Sequence, residues 1–401
     1  MKCTLGALTL LVAVAGPVAA LDWGVNLNEV PLVMWGQTQL GYEDSKASAW
    51  ISNTLAGMKF RAEGEADVSA STMDLYTPSK NLTSTATFDL TELSLSGLVG
   101  SEDDGVFQWN AGRRAITDLT GGWLIDSRWD GASATGQLGQ TKLGASVGYS
   151  GLLLNSNSRV AGSPADVADQ SNTSLLLAPA RLYGSLTVGL NEAFLRQDFQ
   201  TELLGDYDFR SGDQAVHGAY LTAALSGPLP GGLRQRLFGT GSARIGTYST
   251  TLGFLAGTEL SYNSLFLGSR LALGAVGAWA GWGYGYQPIS GDALADVVAL
   301  TTAHGASVKL DYSIRPLGGL MTGIKVNSLW RTSLDPPVLA GFDLSSTDLW
   351  LGTEAVLYGS WNPTSDLVLG WSGGMFFGQP NAFVSGTQLT GLAALTMTVK
   401  L

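Results

Sequence analysis

Strict alternation of apolar and polar residues is the feature of this sequence that most limits its fold. Over residues 58–70, one phase holds Phe60, Ala62, Gly64, Ala66, Val68 and Ala70, and the other holds Lys59, Arg61, Glu63, Glu65, Asp67 and Ser69. A two-residue period sustained over a dozen positions predicts a β-strand with one apolar and one polar face. The same alternation recurs over 142–151, 199–210, 233–245, 306–314 and 324–331.

The alternating segments are also long. They run for about 9 to 13 residues, which is the length of a tilted strand that crosses a bilayer, whereas a strand of a soluble protein has about 5 or 6. An open sheet edge in hydrocarbon would leave backbone N–H and C=O groups unpaired. The sequence therefore predicts an all-β protein, a closed antiparallel transmembrane β-barrel. A soluble β-helix or β-sandwich is the alternative.

Composition argues against spanning helices. Only 14% of the 401 residues are charged and 53 are glycine. Two long stretches, 271–291 and 367–399, carry no charge, but the first is interrupted by six glycines and the second by Gly378-Gln379-Pro380-Asn381. Glycine is among the poorest helix formers, so these stretches favour strands.

The N-terminal residues resemble an export signal. Lys2 is followed by an uncharged stretch that ends in the small residues Val18 to Ala20, as in a secretory signal peptide. We expect residues 1–20 to be this signal peptide and 21–401 to form the barrel. A membrane anchor is the alternative for residues 1–20. Residues 21–56 could supply two further strands or a periplasmic segment. An exported, acidic chain without cysteine beyond Cys3 gives no reason to expect a nucleic-acid partner.

Connections between the predicted strands alternate in length. Short ones rich in Pro, Gly and Asn occur at 227–232, 262–264, 315–319 and 362–366, and longer ones lie between them. This alternation is typical of outer-membrane barrels, whose periplasmic turns are short and whose outer loops are long. The count is about 16 strands, within a range of 14–18, and the expected location is the bacterial outer membrane. The chain ends in a strand-like segment, Leu395 to Leu401, which resembles the terminal signal for the barrel-insertion machinery except that its last residue is Leu instead of Phe.

A local motif adds a resemblance. Between Phe107 and Gly151 the sequence contains Gly112-Arg113-Arg114, then Thr120-Gly121-Gly122-Trp123, then Trp129-Asp130-Gly131. This segment of about 45 residues resembles porin and alginate-export-type channels, within the porin-like outer-membrane barrels of diderm bacteria. The resemblance implies a channel for passive diffusion of small hydrophilic solutes and names no substrate.

Basic residues dominate the phase assigned to the lumen, which favours anionic solutes; cross-strand charge pairing is the alternative explanation. The candidate pore-lining and constriction residues are Arg113, Arg114, Arg128, Lys142, Arg181, Arg234, Arg236 and Arg244, and the loop after Arg114 is the candidate to fold inward. The candidate membrane-interface girdle consists of Trp109, Trp129, Trp279, Trp330, Trp350 and Trp371.

Two other classes of function stay open. The barrel could be a non-conducting adhesin or structural anchor, or a barrel-embedded hydrolase that uses His217 or His304. We expect no catalytic residues, no metal and no cofactor. The expected partners are outer-membrane lipid, the insertion machinery, small solutes and, as in many porins, two further copies in a homotrimer.

Overall fold

The structure is a computed structural model. It describes residues 21–35, 40–55, 57–72, 82–101, 105–150, 166, 181–210, 212, 215–246, 250–264, 266–282, 286–291, 293–298, 300, 302–334, 342–384 and 389–400. The predicted signal peptide lies outside the described residues.

Eighteen β-strands make up the fold. They are β1 (Leu21–Trp35), β2 (Leu40–Leu55), β3 (Met58–Thr72), β4 (Leu82–Ser101), β5 (Gly105–Thr117), β6 (Asp126–Leu138), β7 (Thr141–Tyr149), β8 (Arg181–Phe194), β9 (Gln197–Asp208), β10 (Val216–Pro228), β11 (Leu233–Gly246), β12 (Thr250–Asn263), β13 (Arg270–Trp282), β14 (Gly305–Leu317), β15 (Leu320–Arg331), β16 (Trp350–Trp361), β17 (Leu367–Gly378) and β18 (Leu389–Lys400).

The strands form one closed sheet. Each pairs antiparallel with its neighbours in sequence, and β1 pairs with both β2 and β18. Closure leaves no strand edge unpaired, so the predicted antiparallel barrel is confirmed. Its count of 18 lies at the upper end of the predicted range, because residues 21–55 contribute β1 and β2.

Connections of different length lie at opposite ends of the barrel. At one end, two-residue turns join β6 to β7, β8 to β9 and β14 to β15. At the other end, the connections at 118–125, 150–180, 283–304 and 332–349 join strand pairs. The predicted alternation of short and long connections is therefore present in the fold.

Side chains of the outward phase form an apolar belt. Leu186, Leu203 and Leu221 lie on adjacent strands in register and are 59%, 54% and 61% exposed. The intervening residues, such as Ser185, Glu202 and Thr222, point inward and are buried. An apolar outer face around a polar inner one is the arrangement of a transmembrane barrel.

Among the described residues, the structure contains no helix whose length and hydrophobicity would let it cross a membrane.

Candidate functional site

Two connections fold into the barrel lumen. The β5–β6 connection, residues 118–125, contacts the described part of the β13–β14 connection, which begins at Tyr286. The amides of Ile289 and Ser290 both donate to the carbonyl of Leu124, at 2.9 and 3.2 Å. We call residues 118–125 the first inner segment and 286–300 the second inner segment.

Asp118 organises the first inner segment. Its carboxylate accepts hydrogen bonds from the backbone amides of Thr120 (2.7 Å), Gly122 (3.2 Å), Leu124 (3.4 Å) and Ile125 (3.2 Å). A buried carboxylate that gathers several amides satisfies donors which no strand partner reaches. The segment is thus held in a compact turn by one side chain.

A second part of the barrel wall also holds the first inner segment. Glu202 on β9 accepts a hydrogen bond from the amide of Leu119 at 3.1 Å, and Arg236 on β11 donates to the carbonyl of Leu119 at 2.7 Å. The segment therefore extends inside the barrel from β5 and β6 to the β9–β11 wall.

Glu354 on β16 anchors the second inner segment. Its carboxylate accepts hydrogen bonds from the amides of Asp296 (2.8 Å) and Val297 (2.9 Å), and from Asn327 Nδ2 (3.2 Å). Asn327 also donates to the carbonyl of Leu294 at 2.7 Å. Wall side chains on β15 and β16 therefore replace the strand partners that this backbone lacks.

An apolar core lies between these segments and the wall. It includes the buried side chains Leu124, Ile125, Tyr286, Ile289, Leu294, Val297, Tyr220, Leu255, Leu329 and Phe376. Burial raises the pKa of the Tyr286 phenol well above its usual range, so this side chain stays neutral. Side chains of β6, β8 and β9, namely Trp129, Tyr183 and Leu204, also belong to this core.

The inner wall of β2–β4 is predominantly acidic. Two cations on this wall each meet two carboxylates: Lys46 lies 3.4 Å from both Asp44 and Asp67, while Arg61 contacts Glu63 at 2.8 Å and Glu92 at 2.9 Å. Neither Glu65 nor Lys59 forms an ion pair with a described residue. The expectation that basic residues dominate the lumen-facing phase is therefore wrong for these three strands.

Some basic side chains on the other walls have no carboxylate partner. Within the described ranges, Arg114, Arg234, Arg236 and Lys309 form no ion pair. Arg236 and Lys309 line a cavity of about 280 Å³ against the inner segments. Arg234 and Arg236 line a recess of about 550 Å³ at the short-turn end. Carboxylates line the same two spaces: Glu259, Asp296 and Asp311 in the cavity, and Glu192, Asp198 and Glu259 in the recess.

Two of the predicted pore-lining arginines are buried. Arg113 is 2% exposed; its Nε and Nη2 donate to the two carboxylate oxygens of Asp130 at 2.9 and 2.7 Å, and its Nη1 donates to the carbonyl of Leu90. Arg244 is 2% exposed and donates to the Tyr220 hydroxyl at 2.9 Å. The prediction that they line the pore is wrong, because neither presents its charge to water.

Arg181 is also buried, in an ion cluster. Its guanidinium contacts Asp206, Asp208 at 3.2 Å and Asp166 at 3.0 Å, and Arg210 contacts both Asp166 and Asp208. Asp166 belongs to the β7–β8 connection, so the cluster fastens that connection to the wall. Arg181 is therefore a structural residue and not a pore-lining one.

The remaining pore candidates reach solvent to different degrees. Lys142 lies 3.9 Å from Asp198, and both side chains are exposed. Arg128, near the start of β6, is partly exposed, as is Arg114 in the preceding strand. The structure brings Arg234 and Arg236 together on β11. Arg113, Arg114 and Arg128 lie on β5 and β6, the two strands that the first inner segment connects.

Most of the predicted girdle residues lie in the outward phase. Trp279 is exposed beside Phe254, and Trp350 lies opposite Trp330 in register, both toward the long-connection end. Trp109 and Trp371 cover glycines on the neighbouring strands, Gly97 and Gly359 respectively. Their role in the membrane interface stays a prediction.

Trp129 does not belong to the girdle. It is fully buried, its Nε1 donates to Ser127 Oγ at 2.9 Å, and its ring lies 4.9 Å from that of Tyr183, edge to face. The girdle prediction is wrong for this residue because its position in β6 faces the lumen, not the lipid.

The two histidines each make local contacts. His217 Nδ1 accepts a hydrogen bond from the amide of Asp208 at 3.1 Å, and its ring stacks on Tyr207. His304, in the connection before β14, lies 3.3 Å from Ser333 Oγ through its Nδ1. The contacts do not bring the two histidines together. No group of three or more metal-ligating side chains occurs in the part of the chain that the structure describes.

Sequence comparison and structure comparison give different results. No protein-family model matches the chain, and no curated protein sequence does. Solved structures from Pseudomonas aeruginosa do match. OccK9 (OpdG) superposes with a TM-score of 0.60 at 12% identity, covering 96% of this chain and 100% of that one.

Two further structures from the same bacterium contain small molecules. OpdK with vanillate has a TM-score of 0.60 at 10% identity, and OccK2 (OpdF) in complex with glucuronate has a TM-score of 0.57 at 12% identity. Each match covers 96% of this chain and 100% of the other. These proteins are outer-membrane porins. At such identities the likeness shows the fold alone, so the chain has the fold of these porin β-barrels.

Proposed function

We propose that the protein is an outer-membrane channel for the passive diffusion of small hydrophilic solutes, with a preference for anionic ones. The observation that carries the proposal is a set of cations that form no ion pair with a described residue, Arg114, Arg234, Arg236 and Lys309, on the inner wall of a barrel that two inner segments narrow. Cationic side chains along a pore attract anions.

Cationic and anionic side chains both line the lumen, which supports solutes that carry a carboxylate together with hydroxyl groups. A carboxylate would lie along Arg234, Arg236 and Lys309, and hydroxyl groups of the same molecule would donate to carboxylates of the β2–β4 wall. Vanillate and glucuronate, which accompany two of the structural neighbours, each carry a carboxylate and at least one hydroxyl group. We extend this solute class, small hydroxylated carboxylates, to the present chain.

Reversal potentials in a salt gradient test the preference. The wild-type channel in a planar bilayer should be anion-selective, and the triple variant Arg234→Gln, Arg236→Gln, Lys309→Gln should lose that selectivity. Lys142→Gln is the matched control, because this lysine is exposed next to Asp198 and its loss should leave the potential nearly unchanged. A cation-selective wild type, or a triple variant with an unaltered potential, would contradict the anionic preference.

The same recording separates the other classes of function. A pure barrel that produces no conductance steps would be a non-conducting adhesin or anchor. Hydrolysis of a lipid or peptide substrate that is lost in His304→Ala would indicate a barrel-embedded hydrolase.

We further propose assembly as a homotrimer and recognition of β18 by the insertion machinery.

A further inference from the structure

A recess on the inner wall of β5–β9 differs in chemistry from the two charged spaces described above. It has a volume of about 460 Å³ and is lined by neutral polar side chains, Gln108, Thr135, Gln137, Thr187 and Gln200. We call these side chains the neutral recess. Among the described residues that line it, Lys142 alone is charged, and this lysine lies 3.9 Å from Asp198. The volume lies within the range of roughly 300–1,000 Å³ that small-molecule sites occupy.

The strand register aligns part of the neutral recess in one row. Gln108 on β5 lies opposite Thr135 on β6. Gly144 on β7 lies between Thr135 and Thr187, opposite each of them in register. A Cβ atom at Gly144 would lie 3.4 Å from Thr187 Cβ and 3.6 Å from Thr135 Cγ2. The glycine therefore leaves room on the wall between the two threonines, and this room is the floor of the recess.

The side chains of the neutral recess can bind a ligand, because most of them have no other partner. Gln137 donates one amide hydrogen to the carbonyl of Gly139 at 3.1 Å. Gln108, Thr135 and Gln200 form no side-chain hydrogen bond with a described residue. A glutamine amide carries two donors and an acceptor, and a threonine hydroxyl both donates and accepts. The recess therefore offers donors and acceptors side by side.

Apolar side chains adjoin the polar row. Leu98 lies opposite Gln108, and Val106 lies opposite Gln137, both in the inward phase. Leu98 is 68% exposed although it faces the lumen. Small-molecule sites combine apolar surface with a few polar groups that fix the orientation of the ligand. A sugar ring has C–H groups on its faces and hydroxyl groups along its edge, so it matches a surface of this kind.

The neutral recess lies on the route through the barrel. Thr187 is opposite Glu202 in the register of β8 with β9, and Glu202 accepts the hydrogen bond from Leu119 of the first inner segment. From this row the recess continues to Gln137, next to the two-residue turn between β6 and β7. A solute that has passed the first inner segment therefore meets the recess before it reaches the short-turn end.

We propose that the neutral recess binds uncharged solutes with several hydroxyl groups, such as mono- and disaccharides. Each hydroxyl group of a sugar both donates and accepts a hydrogen bond, as do the amides and hydroxyls of the recess, whereas a carboxylate only accepts. The cations Arg234, Arg236 and Lys309 lie outside the recess, so sugar binding does not depend on them. This inference goes beyond the proposed anion preference and rests on the proposed channel only in that the lumen must admit the solute.

Saturation-transfer-difference NMR with maltose tests the binding on the purified protein in detergent. The wild type should transfer saturation to maltose, and the double variant Gln108→Met, Gln200→Met should reduce the signal several-fold, because methionine keeps the side-chain length and removes the amide. Thr135→Val, which removes one hydroxyl at nearly constant volume, should also weaken the signal. The absence of a wild-type signal, or signals from the double variant and Thr135→Val that equal it, would overturn the proposal.

The triple variant Arg234→Gln, Arg236→Gln, Lys309→Gln is the matched control and should keep the wild-type maltose signal. A signal that is lost in this variant and kept in the double variant would place the sugar on the basic wall and would overturn the proposal. Reversal potentials give the converse result: the double variant should retain the selectivity of the wild type. Since the NMR measurement needs no ion current, failure of sugar binding and failure of the channel proposal are distinguishable.

Discussion

Glu202 on β9 and Leu119 in the first inner segment are joined by a hydrogen bond of 3.1 Å. The backbone amide of Leu119 donates and the carboxylate accepts. Since the segment begins after β5 and β9 lies three strands beyond β6, this contact ties the segment to a second part of the barrel wall.

Removal of that acceptor should widen the channel. In Glu202→Ala the amide of Leu119 loses its partner, and the segment keeps the Asp118 turn but only the Arg236 contact with the β9–β11 wall. We expect larger single-channel conductance and more current noise in planar-bilayer recordings. Glu65→Ala, which removes an inner-wall carboxylate with no contact to the segment, should show neither effect. Conductance equal to that of the wild type in Glu202→Ala would show that the segment does not limit the current.

Glu354 should contribute strongly to stability. Glu354→Ala would leave the amides of Asp296 and Val297 and one Asn327 donor without this acceptor, and each unsatisfied buried donor costs about 1–3 kcal/mol. We expect a clearly lower free energy of unfolding in urea titrations. The comparison is Glu259→Ala, whose partner Arg270 is exposed; an exposed ion pair contributes about 0–1 kcal/mol. Equal losses in the two variants would refute the anchoring role.

The Arg181 cluster should be sensitive to loss of its central cation. In Arg181→Met, the cluster of Asp166, Asp206 and Asp208 loses its central cation and keeps Arg210 and Arg244 as neighbouring positive charges. Breaking a buried ion pair from one side costs about 3–5 kcal/mol. We expect a lower unfolding midpoint and faster proteolysis within 150–180, the connection that Asp166 anchors. Lys142→Met, at an exposed pair, should change neither quantity appreciably.

Trp129 and Trp279 should respond differently to truncation. Replacing a buried tryptophan with alanine lowers the free energy of unfolding by about 3–5 kcal/mol. Trp129 also packs edge to face against the ring of Tyr183. Trp279 faces outward, so Trp279→Ala should cost less stability. Urea unfolding of both variants in the same lipid provides the measurement. A larger loss for Trp279→Ala would contradict the assignment of Trp129 to the interior.

The alternation of apolar and polar residues predicts the barrel because it shows which face of each strand meets lipid and which meets water. In β3, for example, Phe60 and Arg61 already show which side meets lipid and which meets water. The same pattern placed Arg181 and Arg244 correctly in the inward phase. It could not tell a solvated inner position from a buried one, since that depends on connections which fold inward. The carboxylates that hold those connections, Glu202 and Glu354, bind backbone amides, which leave no trace in the sequence.

The tryptophans show the same limit of the sequence pattern for positions that are predicted to face outward. The position of Trp279 and Trp350 near strand ends predicts that they face outward, and both are exposed. The same criterion predicts an outward Trp129, yet this residue faces Tyr183 across the β6–β8 interior. A single residue near a strand end has no reliable phase where the alternation is interrupted, as at Gly131, whose backbone approaches Val147 too closely for any side chain.

The pairing of β1 with β18 has a consequence for how the molecule assembles. Asn28 on β1 accepts a hydrogen bond from Thr398 on β18, a contact across 370 residues of chain. Both edges of β1 are therefore paired only after β18 has formed, and loop-closure entropy delays such distant contacts. Before β1 and β18 pair, the sheet is open and each of these two strands has an unpaired edge. The step that closes the barrel is therefore also the step that removes the risk of aggregation through those edges.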